Sequence, residues 1–62
     1  MDESELKAIA EEIARFVIDD GRVEAGEWFI HSLAVEVMMV ADERGYDNAT
    51  EISEMAVQLY SK

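Results

Sequence analysis

Apolar residues recur at helical spacing in three segments of the chain. In the first segment they share one face at Leu6, Ile9, Ala10, Ile13, Phe16 and Val17. Asp2 and Glu5 have the spacing of a capping box, so a helix is predicted over about residues 3–19. The pair Asp20 and Gly21 then favours a turn, with Gly21 in the left-handed conformation that ends helices.

The second segment contains the most apolar stretch of the chain, Trp28–Ala41. This stretch is too short to cross a bilayer and therefore predicts a buried helix. We expect the helix over about residues 24–44, with Val23 and Trp28 forming a hydrophobic staple at its start. Gly45 is expected to end the helix and to place Tyr46 against its last turn.

The third segment follows a second capping-box pair, Asn48 and Glu51. Its apolar residues are Ile52, Met55, Ala56, Leu59 and Tyr60, which predict a helix over about residues 49–61. The fold is therefore predicted to be one all-α domain of three helices joined by short loops. A chain of 62 residues buries only about 60% of its unfolded surface, so homodimerisation is expected to complete the fold.

The second helix has two apolar sides. The side expected to meet the other helices carries Phe29, Ile30, Leu33, Ala34, Val37, Val40 and Ala41. The opposite side carries Trp28, Val35 and Met39 beside His31. This second stripe is either further core or an interface. Two neighbouring helices can scarcely surround a third, so we predict that Trp28, His31, Val35 and Met39 contact a second copy or a helical partner.

The charge balance limits the classes of ligand. Fifteen acidic and five basic residues give a net charge of −10, which repels phosphate backbones and anionic lipids. Direct binding of nucleic acid or a membrane is therefore not expected. The chain has no cysteine, which excludes disulfides and thiolate metal sites. Its acidic N-terminus differs from a signal peptide, and a cytoplasmic location is expected.

An acidic surface is predicted along the first helix and at its end, at Glu5, Glu11, Glu12, Asp19 and Asp20. Three interpretations are open. The surface is simply solvated, it recognises a basic protein, or it imitates the phosphate array of DNA. In composition the chain is similar to small acidic phage proteins that inhibit restriction or CRISPR nucleases.

Catalytic chemistry finds little support in the sequence. The serines lack a credible arrangement with a histidine and an aspartate; they are Ser4, Ser32, Ser53 and Ser61. A helical domain of this size is also expected to leave little room for a pocket of about 300 Å³. We therefore predict a protein that is not an enzyme and has no cofactor.

The turn after the first helix is the candidate metal site. Asp20, Glu24 and Glu27 have the spacing of the second half of an EF-hand loop. The first half of such a loop does not fit, because apolar residues would occupy its ligand positions. Glu24 and Glu27 also share a helix face with His31, which gives a second possible set of ligands.

Residues 18–27 carry a local resemblance to a known family. The pattern Asp-Gly-Arg-Val-x-x-x-Glu between two helices resembles the pseudo-EF-hand turn of TerB-like tellurite-resistance domains. Those domains are all-helical and are implicated in metal or stress responses. The resemblance implies a similar turn rather than a shared function.

Taken together, the residues predict a small acidic helical module that binds, bridges or inhibits another protein, with an interface along the second helix. Two alternatives stay open. One is a DNA-mimic inhibitor of a nucleic-acid enzyme, and the other is a calcium- or metal-responsive helix-loop-helix.

Overall fold

Three α-helices and one short 3₁₀ turn make up residues 1–61, which a computed structural model of the chain describes. The elements are α1 (Glu3–Asp19), the 3₁₀ turn Gly26–Trp28, α2 (Phe29–Glu43) and α3 (Ala49–Tyr60). Each α-helix packs against the other two. The predicted all-α fold of three helices is confirmed. None of the helices within residues 1–61 is both long enough and apolar enough to span a membrane.

The predicted signals at both ends of α1 are present. The side chain of Asp2 accepts a hydrogen bond of 2.8 Å from the backbone N–H of Glu5. At the other end, the N–H of Arg22 donates to the carbonyl of Val17 over 3.0 Å, as in a Schellman motif. A carboxylate in a last helical turn is unfavourable, but Arg22 donates to Asp20 over 2.7 Å and supplies a positive partner there.

The predicted start of the second helix is wrong. Residues 22–25 are not helical, and α2 begins only at Phe29 after the 3₁₀ turn. The reason is Gly26, whose φ of 85° is incompatible with a right-handed helix. The loop is held instead by the backbone N–H of Glu24, which donates to the hydroxyl of Ser32 over 3.1 Å. Because the helix does not begin near Glu24, the predicted staple between Val23 and Trp28 is wrong too.

In the connection between α2 and α3, the structure confirms the prediction for the end of α2 but not the prediction for the start of α3. Gly45 has a φ of 90°, and the N–H of Tyr46 donates to the carbonyl of Ala41 over 3.1 Å, so the predicted Schellman ending is confirmed. The second capping box is wrong. The side chain of Asn48 does not cap α3 and instead lies 3.5 Å from the sulfur of Met1.

The core lies between the three helices. It consists of the buried residues Ala10, Ile13, Ala14, Val17, Leu33, Val37, Val40, Ala41, Ile52, Met55 and Ala56. Leu33 and Val37 are fully buried, as the sequence analysis predicts for the side of the second helix that meets the other helices.

Phe16 was expected in the core, but its side chain is 41% exposed. It lies about 100° around α1 from Val17, at the edge of the apolar face.

Candidate interaction surface

The outer side of α2 carries an exposed apolar stripe. Trp28 is 58% exposed, Val35 42% and Met39 51%, and His31 is also exposed. The interpretation of these residues as further core is therefore wrong. We call Trp28, His31, Val35 and Met39, together with Met38, the α2 stripe.

Met38 belongs to this stripe although the sequence prediction omitted it. Its side chain is 40% exposed. Met38 lies seven positions after His31 and three after Val35, which places it on the same side of the helix. This spacing is the signal that could have identified it.

The N-terminal end of the stripe is an aromatic pair. The rings of Trp28 and His31 meet edge to face, with centroids 6.3 Å apart and an angle of 74° between the ring planes. This geometry is one of the favoured arrangements of aromatic rings. The indole is therefore held beside the first turn of α2 while most of its surface faces solvent.

At its C-terminal end the stripe runs into an open groove between α2 and the start of α3. The groove has a volume of about 430 Å³ and is lined by Met38, Met39, Asp42, Tyr46, Asp47, Ala49 and Thr50. The expectation that the domain leaves little room for a pocket of about 300 Å³ is therefore wrong. Since Met38 and Met39 belong to both features, the stripe and the groove form one continuous surface.

The five carboxylates of the predicted acidic surface are all exposed. They are not all unpaired, because Arg44 donates to Glu12 over 3.4 Å and Arg22 donates to Asp20 over 2.7 Å. The negative charges of Glu12 and Asp20 on the predicted acidic surface are thus balanced by arginines of the same chain.

Phe16 lies between these ion pairs. The guanidinium carbon of Arg22 is 5.5 Å from the centroid of the Phe16 ring, and that of Arg44 is 5.2 Å from it. Both distances suit cation–π attraction. The hydrogen bond that Arg22 donates to Asp20 raises the pKa of Arg22 above its usual value, so this guanidinium is charged throughout the ordinary pH range.

The candidate metal ligands do not form a site. Within residues 1–61, no three histidine, aspartate or glutamate side chains come close enough to hold a metal ion together. This finding includes Asp20, Glu24 and Glu27, and it also includes His31. The loop shape explains the separation, because the helix expected to align Glu24, Glu27 and His31 begins only at Phe29.

Three of the serines have hydrogen-bond partners. The hydroxyl of Ser61 donates to the carbonyl of Val57 at the end of α3, and the other two, Ser32 and Ser53, join separate elements. The hydroxyl of Ser32 accepts the hydrogen bond from the backbone of Glu24. Ser53 is buried, and its hydroxyl donates to the carbonyl of Ala34 over 2.8 Å, which links α3 to α2. Both hydroxyls thus hold the fold together.

Comparison with known proteins finds no matching family model, no matching curated protein and no matching solved structure.

Proposed function

We propose that this protein is a small acidic interaction module that binds another protein through the α2 stripe. The observation that carries the proposal is the exposure of Trp28, Val35 and Met39 along one side of α2 and the 3₁₀ turn that leads into it. Tryptophan and methionine are enriched at protein interfaces, and tryptophan is among the residues that most often dominate binding energy.

The exposed stripe has no role in closing the core. Leu33 and Val37, on the opposite side of α2, are fully buried against the other helices. The stripe therefore leaves apolar surface in contact with water, which is unfavourable by roughly 25 cal/mol per Å². Exposed apolar side chains grouped on one side of a helix are typical of association sites.

The shape of the surface supports binding rather than catalysis. The stripe is the outer side of a helix, and the groove at its end is open to solvent. Enzyme sites commonly surround their substrates and hold converging polar groups. A helix face with one aromatic anchor instead suits a protein surface, and the bound partner would be inhibited or brought to a third component.

Affinity capture from the native host lysate tests this proposal. The full chain is immobilised beside two variants, Val35→Glu in the stripe and Glu11→Gln on α1. Both changes are at exposed positions, so we expect the stability of each variant to stay within about 0.5 kcal/mol of the parent protein.

We expect a partner that the parent protein and Glu11→Gln retain and Val35→Glu loses. The captured protein is then purified and titrated against all three proteins, so that direct binding is measured. If the three proteins capture the same set and bind it with equal affinity, the α2 stripe is not the interaction site.

A further inference from the structure

The charges of this protein are unevenly distributed along the fold. Residues 23–61 contain the carboxylates Glu24, Glu27, Glu36, Asp42, Glu43, Asp47, Glu51 and Glu54. Arg44 is the single lysine or arginine in the same range, and neither α2 nor α3 contains either residue. The guanidinium of Arg44 is engaged by Glu12 and Phe16 of α1. The side formed by α2 and α3 is therefore strongly negative.

The groove at the end of the α2 stripe combines this charge with apolar surface. Asp42 and Asp47 are exposed and line it together with Met38 and Met39. A lysine or arginine side chain fits this combination of groups. Its aliphatic stem packs on apolar side chains while its charged end binds a carboxylate.

We infer that the occupant of the α2 stripe is a basic amphipathic helix of another protein. Its apolar face covers Trp28, Val35 and Met39, and a lysine or arginine near one end enters the groove between Asp42 and Asp47. This inference rests on the proposed interaction function and adds the chemistry of the partner.

The length of the stripe suits a helical partner. From Phe29, which follows Trp28, to Asp42 the helix α2 rises by about 20 Å, which corresponds to nearly four turns of a partner helix. Methionine side chains are flexible and polarizable, so Met38 and Met39 can adapt to different apolar residues. Recognition of an amphipathic helix along an apolar surface is a common binding mode.

A second copy of the chain fits the surface less well. Antiparallel pairing of two stripes about Val35 would bring together two α2 helices that contain no lysine or arginine. Each copy carries a net charge of −10, so the two copies repel each other. Salt screens the repulsion between two copies and also the attraction of a basic partner. Added salt would therefore strengthen such a dimer, whereas it would weaken binding of a basic partner.

Synthetic helical peptides provide the test. Two peptides of about 18 residues carry leucines at the same helical positions, one with lysine and one with glutamate on the polar face. A third has the composition of the lysine peptide in scrambled order. Trp28 is the only tryptophan in the sequence, so its fluorescence reports directly on the stripe.

We expect the lysine peptide to shift the Trp28 emission to shorter wavelength and to bind at least about tenfold more tightly than the other two peptides. Raising the salt from about 0.05 to about 0.5 M should weaken its binding at least about fivefold. The double variant Asp42→Asn/Asp47→Asn should weaken binding to a similar extent.

The matched control is Glu5→Gln/Glu11→Gln, which removes the same charge from exposed positions on α1. We expect its affinity for the lysine peptide to stay within about twofold of the parent protein. Equal losses in the two double variants would overturn the inference, because the attraction would then come from net charge alone.

Sedimentation of the free protein separates failure of the inference from failure of the proposed function. A dimer that Val35→Glu dissociates and the lysine peptide does not displace would identify a second copy as the occupant and overturn the inference. The proposed function would survive that result if Val35→Glu still loses a captured protein other than the chain itself, and would fail if it loses none. If neither self-association nor binding of any captured protein or peptide depends on the stripe, both proposals fail.

Discussion

The imidazole of His31 meets the indole of Trp28 edge to face on the outer side of α2, with the ring centroids 6.3 Å apart. Both residues are exposed, so the contact contributes little to the core. We expect this contact to restrict the orientation of the exposed indole of Trp28. Such restriction reduces the entropy that a side chain loses when a partner binds.

Replacing His31 by alanine should loosen Trp28. We expect a lower fluorescence anisotropy of Trp28 and a loss of at most about 1 kcal/mol in the free energy of unfolding, because the aromatic pair is exposed. The variant His31→Phe keeps an aromatic ring and should restore the anisotropy. Unchanged anisotropy in His31→Ala would show that the contact does not hold the indole.

Gly26→Ala tests the loop before α2, because the loop and a helix predict opposite changes in the free energy of unfolding. If Gly26 were inside a helix, alanine would stabilise the protein by about 1 kcal/mol. Gly26 has a φ of 85°, where a Cβ atom is strained, so we expect destabilisation by about 1–2 kcal/mol. Urea unfolding followed by circular dichroism measures the difference. A stabilised variant would contradict the loop described here.

The ends of α1 and α2 show which helix boundaries the sequence could predict and which it could not. The bounds of α1 and the end of α2 follow from local signals, since capping by Asp2 and the turn at Gly45 involve residues within one or two helical turns. The start of α2 could not be predicted in the same way. Hydrophobic spacing does not reveal the backbone angle of Gly26, and helix boundaries are poorly specified by spacing alone.

Ser53 is the buried polar residue that links α3 to α2. Ser53→Ala removes its hydrogen bond of 2.8 Å to the carbonyl of Ala34, and we expect a loss of about 1 kcal/mol in the free energy of unfolding. The control Ser4→Ala, at an exposed position in α1, reports the effect of alanine on helix propensity. If the urea midpoints of Ser53→Ala and Ser4→Ala differ from that of the parent protein by the same amount, the hydrogen bond of Ser53 contributes nothing measurable.

Phe16 and Arg44 should be coupled energetically. A double-mutant cycle with Phe16→Leu and Arg44→Gln isolates the attraction between the ring and the guanidinium, which lie 5.2 Å apart. We expect a coupling energy of about 0.5–1 kcal/mol, because both groups are partly exposed. Chemical denaturation of the four proteins gives this value, and additive effects would show that the stacking is not stabilising.

The same pair explains why the surface could only be predicted in part. The contact of Phe16 with Arg44 joins residues that are distant in sequence and forms only when α1 and α2 pack together. The stripe residues Trp28, Val35 and Met39 could be placed on one side of α2 because they follow a single helical period. The groove could not be foreseen, since it requires the position of α3 relative to α2.

Binding of a basic helical partner along the α2 stripe is tested most directly by backbone and side-chain NMR of the labelled full chain. During titration with the lysine peptide, we expect the largest shift changes at the indole N–H of Trp28, at Val35, at the Met39 methyl group and at Asp42. Changes concentrated instead at Glu5, Glu11 and Glu12 would place the basic ligand on the acidic surface of α1. That result would contradict the account and favour recognition by negative charge alone, as a DNA mimic would show.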